Sequence, residues 1–317
     1  MSSKEITIYA PEGLVAGGNV LGESFQHFNL ETGARLPLPD EQAKSDKSWH
    51  IAFKRSIICI NSGPAGVGGV LGGCALPPVD VSRDDFLKLV SADFEKMFDS
   101  VSKVPDNMVF AEEGIEPAIF GWRVQKGDKW EAPVAKGWKL RLADGESFAK
   151  MRVRKVEDDE MTITIQYAYQ PAKDAPLGPD VTVTIKPGDC FNFSKGEAVS
   201  KSGDNWDIKH DGDKIFLNSS VSGPGKAGAI GSNKYGAQWK TVENPSDSIA
   251  YFMDEYGTVF RNPKWYRYNI DGKHNIHPNG AVYIIRTGAG DFKIQVFDYF
   301  EHRGSDLGNI RIRYARL

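Results

Sequence analysis

Cysteine, excess positive charge and long apolar runs are scarce in this 317-residue chain. Cys59, Cys74 and Cys190 are too few for a disulfide scaffold and form no C-x-x-C pair. The formal net charge of −3 provides no basic field for a nucleic acid. No run approaches the roughly 20 apolar residues that span a bilayer. We therefore expect an ordinary globular protein with neither a nucleic-acid partner nor a transmembrane segment.

The usual catalytic and nucleotide-binding motifs are also missing. The glycine-rich loops at 63–73 and 223–228 lack the Gly-Lys-Ser/Thr ending of a P-loop, and Leu71 occupies the place of the third glycine in a dinucleotide fingerprint. No G-x-S-x-G elbow, H-E-x-x-H pair or C-x-x-C zinc pattern occurs. Six histidines allow many imaginable triads, but their spacing singles out none. We predict a protein without catalytic activity.

What the chain does contain is an internal repeat. The segment 49–63 matches 206–220, with the same spacing from tryptophan to asparagine: Trp49 to Asn61, and Trp206 to Asn218. Farther along, 127–141 matches 272–286 at one constant offset. Each copy closes on an alternating strand, 162–167 and 309–314. Short runs of period two between glycine turns predict a mostly β, β-rich α+β fold of two tandem antiparallel domains.

The predicted domain boundary follows from the repeat. Domain 1 is 1–170 and domain 2 is 181–317, joined by a linker at 171–180 that contains three prolines and shows no periodicity. Domain 1 carries a helical insertion near 82–101. Ser82 and Asp85 form a possible capping box at its start, and an apolar stripe follows at helical spacing. The stripe consists of Phe86, Val90, Phe94, Met97 and Val101.

Histidines cluster only in the second copy. His274 and His277 stand three apart in a polar loop before the strand 282–285, whereas the matching loop of the first copy has no histidine. Two such side chains can ligate a transition metal or a haem iron. The alternative is a solvated loop with two incidental histidines. His27 and His50, in contrast, are expected on strand faces.

These ordered features resemble the HmuY family of bacterial haem-binding proteins. The resemblance is best over 181–317, in the segments 191–199, 206–208, 217–218, 282–287 and 293–296. These read Phe-Asn-Phe-Ser-Lys-Gly-Glu-Ala-Val, Trp-Asp-Ile, Leu-Asn, Val-Tyr-Ile-Ile-Arg-Thr and Lys-Ile-Gln-Val. It is looser over 6–169. The resemblance implies a tandem pair of HmuY-like domains in a haem- or porphyrin-binding protein of haem acquisition or transport.

The family holds iron axially with histidine or methionine. By this resemblance, the expected ligands are His274, then His277, then Met253, with His274 and His277 as the metal-binding pair. Trp265 and Tyr268 would line the haem slot, together with Phe260 and Tyr266. This sequence departs from the family pattern because the family's histidine position falls near residues 269–270.

The same resemblance implies an extracellular, cell-surface or periplasmic location, and an outer-membrane receptor or a haemoprotein donor as partner. The first residues carry no secretion-signal pattern, which leaves the cytoplasm open. Two other functions stay open. One is a haem-independent binding or adhesion protein that uses exposed Trp122, Trp130 and Trp138. The other is a metal-binding protein that uses His274, His277 and His302.

Overall fold

The computed structural model describes residues 3–9, 24–200, 203–300 and 307–317, and these residues are mostly β. The predicted fold class is confirmed. In chain order, the strands are β1 (Lys4–Tyr9), β2 (Gln26–Asn29), β3 (Ala34–Leu36), β4 (Ile51–Lys54), β5 (Ile57–Ile60), β6 (Leu71–Leu76), β7 (Ile115–Glu116), β8 (Val124–Lys126), β9 (Lys129–Glu131), β10 (Gly137–Arg141), β11 (Phe148–Glu157), β12 (Thr162–Gln170), β13 (Val181–Ile185), β14 (Cys190–Asn192), β15 (Glu197–Val199), β16 (Ile208–His210), β17 (Ile215–Leu217), β18 (Gly228–Ser232), β19 (Glu255–Tyr256), β20 (Tyr266–Tyr268), β21 (Ile276–Pro278), β22 (Val282–Thr287), β23 (Gly290–Phe300) and β24 (Leu307–Arg316). The helices are α1 (Asp40–Ala43), α2 (Arg83–Phe86), α3 (Ser91–Ser100) and α4 (Asn233–Ala237), with 3₁₀ turns at Gly63–Ala65 and Trp239–Thr241.

The described residues form two compact units. Unit 1 contains the residues up to Ile115 together with Tyr256–Leu317, and unit 2 contains Glu116–Glu255. This division differs from the predicted one. The segment 171–180, predicted as the linker, connects β12 and β13, which are neighbouring strands of one sheet in unit 2. Strands pair over long sequence distances, so a repeat in the sequence does not reveal which strands become neighbours.

The largest apolar core of unit 1 lies between two antiparallel sheets. The larger sheet has the order β1-β24-β23-β22-β6, and the smaller has the order β3-β2-β4-β5. Ile294 and Ile312 enter the core from the larger sheet, and Phe28 and Ile60 enter it from the smaller. Successive side chains of a strand point to opposite faces, so the alternating apolar residues of each strand cover the core.

Unit 2 repeats this arrangement. Its five-stranded sheet has the order β13-β12-β11-β10-β18, and its four-stranded sheet has the order β15-β14-β16-β17. Leu140 and Ile165 of the larger sheet share a core with Phe193 and Leu217, which lie beside or within the smaller sheet. The chain order differs, because β10–β12 precede β13–β18 in unit 2, whereas β1–β6 precede β22–β24 in unit 1.

The tryptophans proposed for an adhesive surface lie inside unit 2. Trp122 and Trp138 are only 3% and 0% exposed, and both belong to the core. Trp130 packs partly buried against that core, beneath the Arg123 guanidinium at 4.3 Å from its ring centre. The expectation that these rings are exposed is wrong for Trp122 and Trp138, because Trp138 lies on the covered face of β10 and Trp122 packs into the same core.

A buried asparagine ties the glycine-rich loop to the tryptophan strand in each unit. Nδ2 of Asn61 donates to the carbonyl oxygens of Asp46 and Trp49 at 2.9 and 2.8 Å, and Oδ1 accepts from the Gly68 amide at 2.9 Å. The equivalent bonds in unit 2 have the same lengths and join Asn218 to Asp204, Trp206 and Gly225. Asparagine supplies both donors and an acceptor, as this position requires.

In each unit, a glycine with a left-handed backbone conformation packs against a tyrosine hydroxyl. Gly33 has a φ of +74°, and a Cβ at this position would lie 2.9 Å from the hydroxyl oxygen of Tyr314. Gly196 has a φ of +70°, and its Cβ would lie 3.0 Å from the hydroxyl oxygen of Tyr167. Only glycine adopts this backbone without strain, so both turns require it.

The chain leaves each unit next to a buried carboxylate. In unit 1, Glu113 accepts hydrogen bonds from the amides of Ile60 and Thr258 at 3.0 and 2.8 Å. In unit 2, the equivalent bonds of Asp254 come from the amides of Ala118 and Leu217 and the Ser222 hydroxyl, at 2.7–2.9 Å. Burial raises the pKa of both carboxyl groups, to about 6 for Asp254.

The predicted helical insertion consists of two helices. The Ser82 hydroxyl accepts from the Asp85 amide at 3.2 Å, which confirms the cap at the start of α2. The helix ends at Phe86, and α3 begins at Ser91. Val90 lies between them and is 59% exposed, so it does not continue the buried stripe as predicted.

Candidate functional site

The predicted histidine loop is the turn of a two-stranded hairpin in unit 1. β20 pairs with β21 so that Tyr268 lies opposite Ile276 and Arg267 opposite His277. Arg267 fixes the hairpin, because its guanidinium donates to the carbonyl oxygens of Val79 and Val81 at 2.5 and 3.1 Å. The hairpin is therefore attached to the segment that precedes α2.

The turn itself is tightly hydrogen-bonded. Oδ1 of Asn269 accepts from the His274 amide at 2.8 Å, and Oδ1 of Asp271 accepts from the Lys273 amide at 3.0 Å. Asn269 and His274 both have a positive φ, 56° and 60°. Residues other than glycine are uncommon in this region, and asparagine and histidine are among those that adopt it most often. The side-chain bonds of the turn are what hold His274 there.

His274 is exposed, and its ring is oriented by a neighbouring tyrosine. The hydroxyl oxygen of Tyr268 lies 3.0 Å from Nδ1 of His274, and the two ring centres are 6.0 Å apart. Tyr268 is itself 58% exposed. Within the described residues the His274 ring forms no other hydrogen bond or ion pair. The structure thus brings together two of the predicted site residues.

His277 is half-buried on β21 and faces an acid. Its Nε2 lies 3.4 Å from Oδ2 of Asp271, within ion-pair range but without hydrogen-bond geometry. The Lys273 amide is the largest cause that lowers the pKa of Asp271, to about 2, and Asn275 and His277 contribute in the same direction. Asp271 is therefore a carboxylate at neutral pH, and it offers His277 a negative partner.

The expected walls of a haem slot do not surround these histidines. Trp265 is only 2% exposed in the unit 1 core, where its Nε1 donates to the Ser56 carbonyl oxygen at 3.1 Å. Phe260 is equally buried in the same core. Both rings fill the space between the sheets, which is the more common role of a large aromatic. Of the predicted walls, Tyr268 is the exposed ring.

The remaining predicted ligands are Met253 and His302. Met253 precedes Asp254 and belongs to unit 2, whereas His274 and His277 belong to unit 1. His302 lies outside the described residues. Over the ranges that the structure describes, no group of three or more His, Cys, Asp or Glu side chains could hold a metal ion. Among the described residues, His274 and His277 therefore have no third ligand of these types.

Unit 1 also contains a cleft of about 460 Å³ that the sequence did not indicate. It lies along β6, at Gly72 and Gly73, and both Cys74 and Met108 line it. A Cβ on Gly73 would lie 2.3 Å from the Val109 carbonyl oxygen, so the overlying segment approaches because this residue is glycine. Two adjacent glycines in a strand were the available signal.

The sulfur atoms of this cleft are neutral donors. Burial raises the pKa of the Cys74 thiol to about 11, so it stays protonated at neutral pH. Its Sγ donates to the Leu76 carbonyl oxygen at 3.2 Å. The Met108 thioether is partly buried. Such groups bind soft or apolar ligands in preference to hard cations.

Comparison with known proteins adds little. No family model and no curated protein matches this sequence. The chain is similar to a crystal structure of a proposed HmuY-like heme-binding protein from Bacteroides vulgatus, over 98% of this chain and 90% of that one. The sequence identity is 9% and the TM-score is 0.36. A similarity this distant identifies neither a family nor a ligand, so function rests on the site residues.

None of the helices in the described part of the chain is long and apolar enough to cross a membrane.

Proposed function

We propose that this chain is a non-catalytic haem- or porphyrin-binding protein whose site is the β20–β21 hairpin of unit 1. The observation that carries the proposal is the pairing of exposed His274 with Tyr268. Histidines that ligate metals usually have the second ring nitrogen hydrogen-bonded, which fixes the tautomer and the ring orientation. A neutral His274 that donates from Nδ1 to the Tyr268 oxygen carries a lone pair on Nε2.

The residues of the hairpin would supply a haem with one imidazole ligand and one aromatic surface. His274 would bind the iron, and the exposed ring of Tyr268 would contact the macrocycle. Oδ1 of Asn269 holds His274 in place by accepting a hydrogen bond from the backbone amide of His274. His277 is the alternative ligand, although its Nε2 is buried and lies 3.4 Å from Oδ2 of Asp271. The proposal does not use Trp265, which is buried in the core of unit 1, or Met253, which belongs to unit 2.

The proposal also includes a cellular location. Haem is apolar and reactive, so a carrier would take it from a haemoprotein and deliver it to a receptor in the outer membrane. The expected location is extracellular, on the cell surface or in the periplasm. Cell fractionation with an antibody against the chain would test the location independently of ligand binding.

Titration with haemin tests the ligand. We expect a shift of the Soret band with the unaltered protein, and an affinity at least tenfold lower for the double variant His274→Ala with His277→Ala. Tyr268→Phe should weaken binding less, because it removes only the hydroxyl that orients His274. Lys273→Ala is the matched control, since it alters an exposed side chain of the same turn without removing an imidazole.

Two outcomes contradict the proposal. One is a free-haemin spectrum that stays unchanged at saturating protein. The other is an unaltered Soret shift in the double histidine variant, which would move the site away from the hairpin. In that case the cleft lined by Met108 would be the next position to test, with Met108→Ala as the variant.

We also propose that the chain is a tandem duplication. Its support is that residues matched in the sequence form matched contacts: Asn61 and Asn218 make the same three hydrogen bonds. The copies have diverged in detail. Where Nδ1 of His50 accepts from the Leu30 amide, Oδ2 of Asp207 accepts from the Phe193 amide.

A further inference from the structure

The contacts that join the two halves of each unit are the same in both. The hydroxyl of Tyr314 meets the Gly33 turn in unit 1, and the hydroxyl of Tyr167 meets the Gly196 turn in unit 2. The edge strands also share a register. β1 pairs with β24 so that Thr7 lies opposite Arg311. β13 pairs with β12 so that Thr184 lies opposite Thr164.

These contacts do not join the halves of one sequence copy. In unit 1, β1–β6 come from the first copy, whereas β22–β24 come from the second. In unit 2, β10–β12 come from the first copy and β13–β18 from the second. The two copies have therefore exchanged their C-terminal halves within one chain. The domains expected from the sequence, 1–170 and 181–317, are the arrangement without this exchange.

The segment 171–180 holds the exchanged arrangement together. Within unit 2, Gln170 Nε2 donates to the Ala175 carbonyl oxygen at 2.8 Å and to Asn244 Oδ1 at 2.9 Å. The Asp174 amide donates to Ser246 Oγ at 3.0 Å, and Asn244 Nδ2 donates to Asp174 Oδ1 at 2.8 Å. Ten residues anchored in this way close the β12–β13 pair locally, at a small cost in loop entropy.

We infer that the chain can close in two topologies with the same strand register, and that the anchored segment 171–180 selects the exchanged one. The inference rests on the proposed duplication and is independent of the proposed ligand. In the topology without the exchange, here called the closed topology, β1 would pair with β12, which places Thr7 opposite Thr164. Thr164 is therefore the position at which the two topologies differ most directly.

A three-cysteine reporter distinguishes the topologies in the full chain. Thr7→Cys, Thr164→Cys and Thr184→Cys are introduced together, with Cys74→Ala to remove the half-buried thiol. Residues directly opposite in neighbouring antiparallel strands have Cβ atoms about 4.5–5.5 Å apart, close enough for a short thiol cross-linker. Residue 164 can then join residue 184 in the exchanged topology, or residue 7 in the closed one. Peptide mapping of the cross-linked monomer, at low protein concentration, gives the ratio.

Loosening the segment should change that ratio. The loosened variant combines Gln170→Ala, Asp174→Ala and Asn244→Ala with a flexible Gly-Ser insertion of about eight residues after Lys173. The control carries the same insertion after Gly127, a turn glycine with open space around it. A third variant has the insertion after Lys173 without the substitutions, in case the triple substitution prevents folding.

After unfolding and refolding, the reporter chain and the control should yield the 164–184 product almost entirely. The loosened chain, or the variant with the insertion alone, should yield at least ten times more of the 7–164 product than the control. If neither rises above the control, the second topology does not form and the inference is overturned. A 7–164 product that dominates in the unloosened chain would overturn it equally, because the segment would then not select the exchange.

Discussion

Removal of the Asn218 side chain should be among the most damaging single changes in unit 2. The side chain is 0% exposed and makes three hydrogen bonds at 2.8–2.9 Å. Each such bond contributes about 1 kcal/mol net, and each buried partner left unpaired costs about 1–3 kcal/mol. The glycine loop also rests on this side chain, since a Cβ on Gly223 would lie 2.2 Å from Asn218 Oδ1. Together these terms predict a loss of about 3–5 kcal/mol for Asn218→Ala.

Urea unfolding followed by tryptophan fluorescence measures this loss through the shift of the transition midpoint. Asn192→Ala is the matched control in the same unit. Asn192 also bonds through both side-chain atoms, to the Asn205 carbonyl oxygen and from the Lys195 amide, but at an exposed turn. It should cost about 1 kcal/mol, because water replaces the lost partners.

Burial of the three bonds would not decide the cost if Asn218→Ala lost less than about 1 kcal/mol of unfolding free energy, or if Asn218→Ala and Asn192→Ala lost equal amounts. Asn61→Ala extends the test to unit 1. Its side chain is equally buried and makes the same bonds, so its loss should agree with that of Asn218→Ala within about 1 kcal/mol.

Further predictions concern the turns, the buried acid and the cleft thiol. Gly33→Ala and Gly196→Ala should each lower the free energy of unfolding by about 1–2 kcal/mol because of the positive φ. The added methyl group also collides with the tyrosine hydroxyl, so Tyr314→Phe or Tyr167→Phe should recover part of the loss, measured from urea midpoints. The pKa of Asp254 is raised by burial to about 6, above the value of about 3.9 in an unfolded chain, so the native state binds more protons between these values. The stability that this group contributes is fully present below about pH 4 and falls by about 3 kcal/mol as the pH rises through 6. Asp254→Asn should lack this decline between pH 4.5 and 7. If the free energy of unfolding of the variant falls with pH as steeply as that of the unaltered protein, the decline does not come from Asp254. With its pKa raised to about 11, Cys74 should be alkylated at pH 8 about a hundred times more slowly than free cysteine, and a rate near that of free cysteine would show that the thiol is not buried as described.

Local features of the fold were predictable from the sequence because they depend on near neighbours. The tryptophan strands, the asparagine that ends the next strand and the cap of α2 at Ser82 all reside within about 15 residues of their partners. The break between α2 and α3 was not predictable from the apolar stripe, since Val90 has the right spacing but lies at a helix start.

Strand partnership was beyond the sequence for a physical reason. Thr7 lies opposite Arg311, and Thr164, which follows the same alternating pattern, lies opposite Thr184. A pattern of period two gives strands that share it the same two faces, so it does not select one partner over the other. The site shows the same limit. The polar turn at His274 was visible as a loop, whereas burial of Trp265 depends on contacts with the distant Ser56 and Tyr299. The cleft at Gly73 needs an overlying segment that no local pattern specifies.

The continuity of unit 2 has a consequence for synthesis on the ribosome. Every described strand of unit 2 has been made once residue 255 emerges, whereas β6 pairs with β22 and β1 pairs with β24, and β22 begins only at Val282. At about 5–20 residues per second, the N-terminal strands wait roughly 10–40 s with open edges. During that interval β10–β12 emerge and are free to pair with them. Pairing of β12 with β13, which their ten-residue connection favours, would remove β12 from this competition.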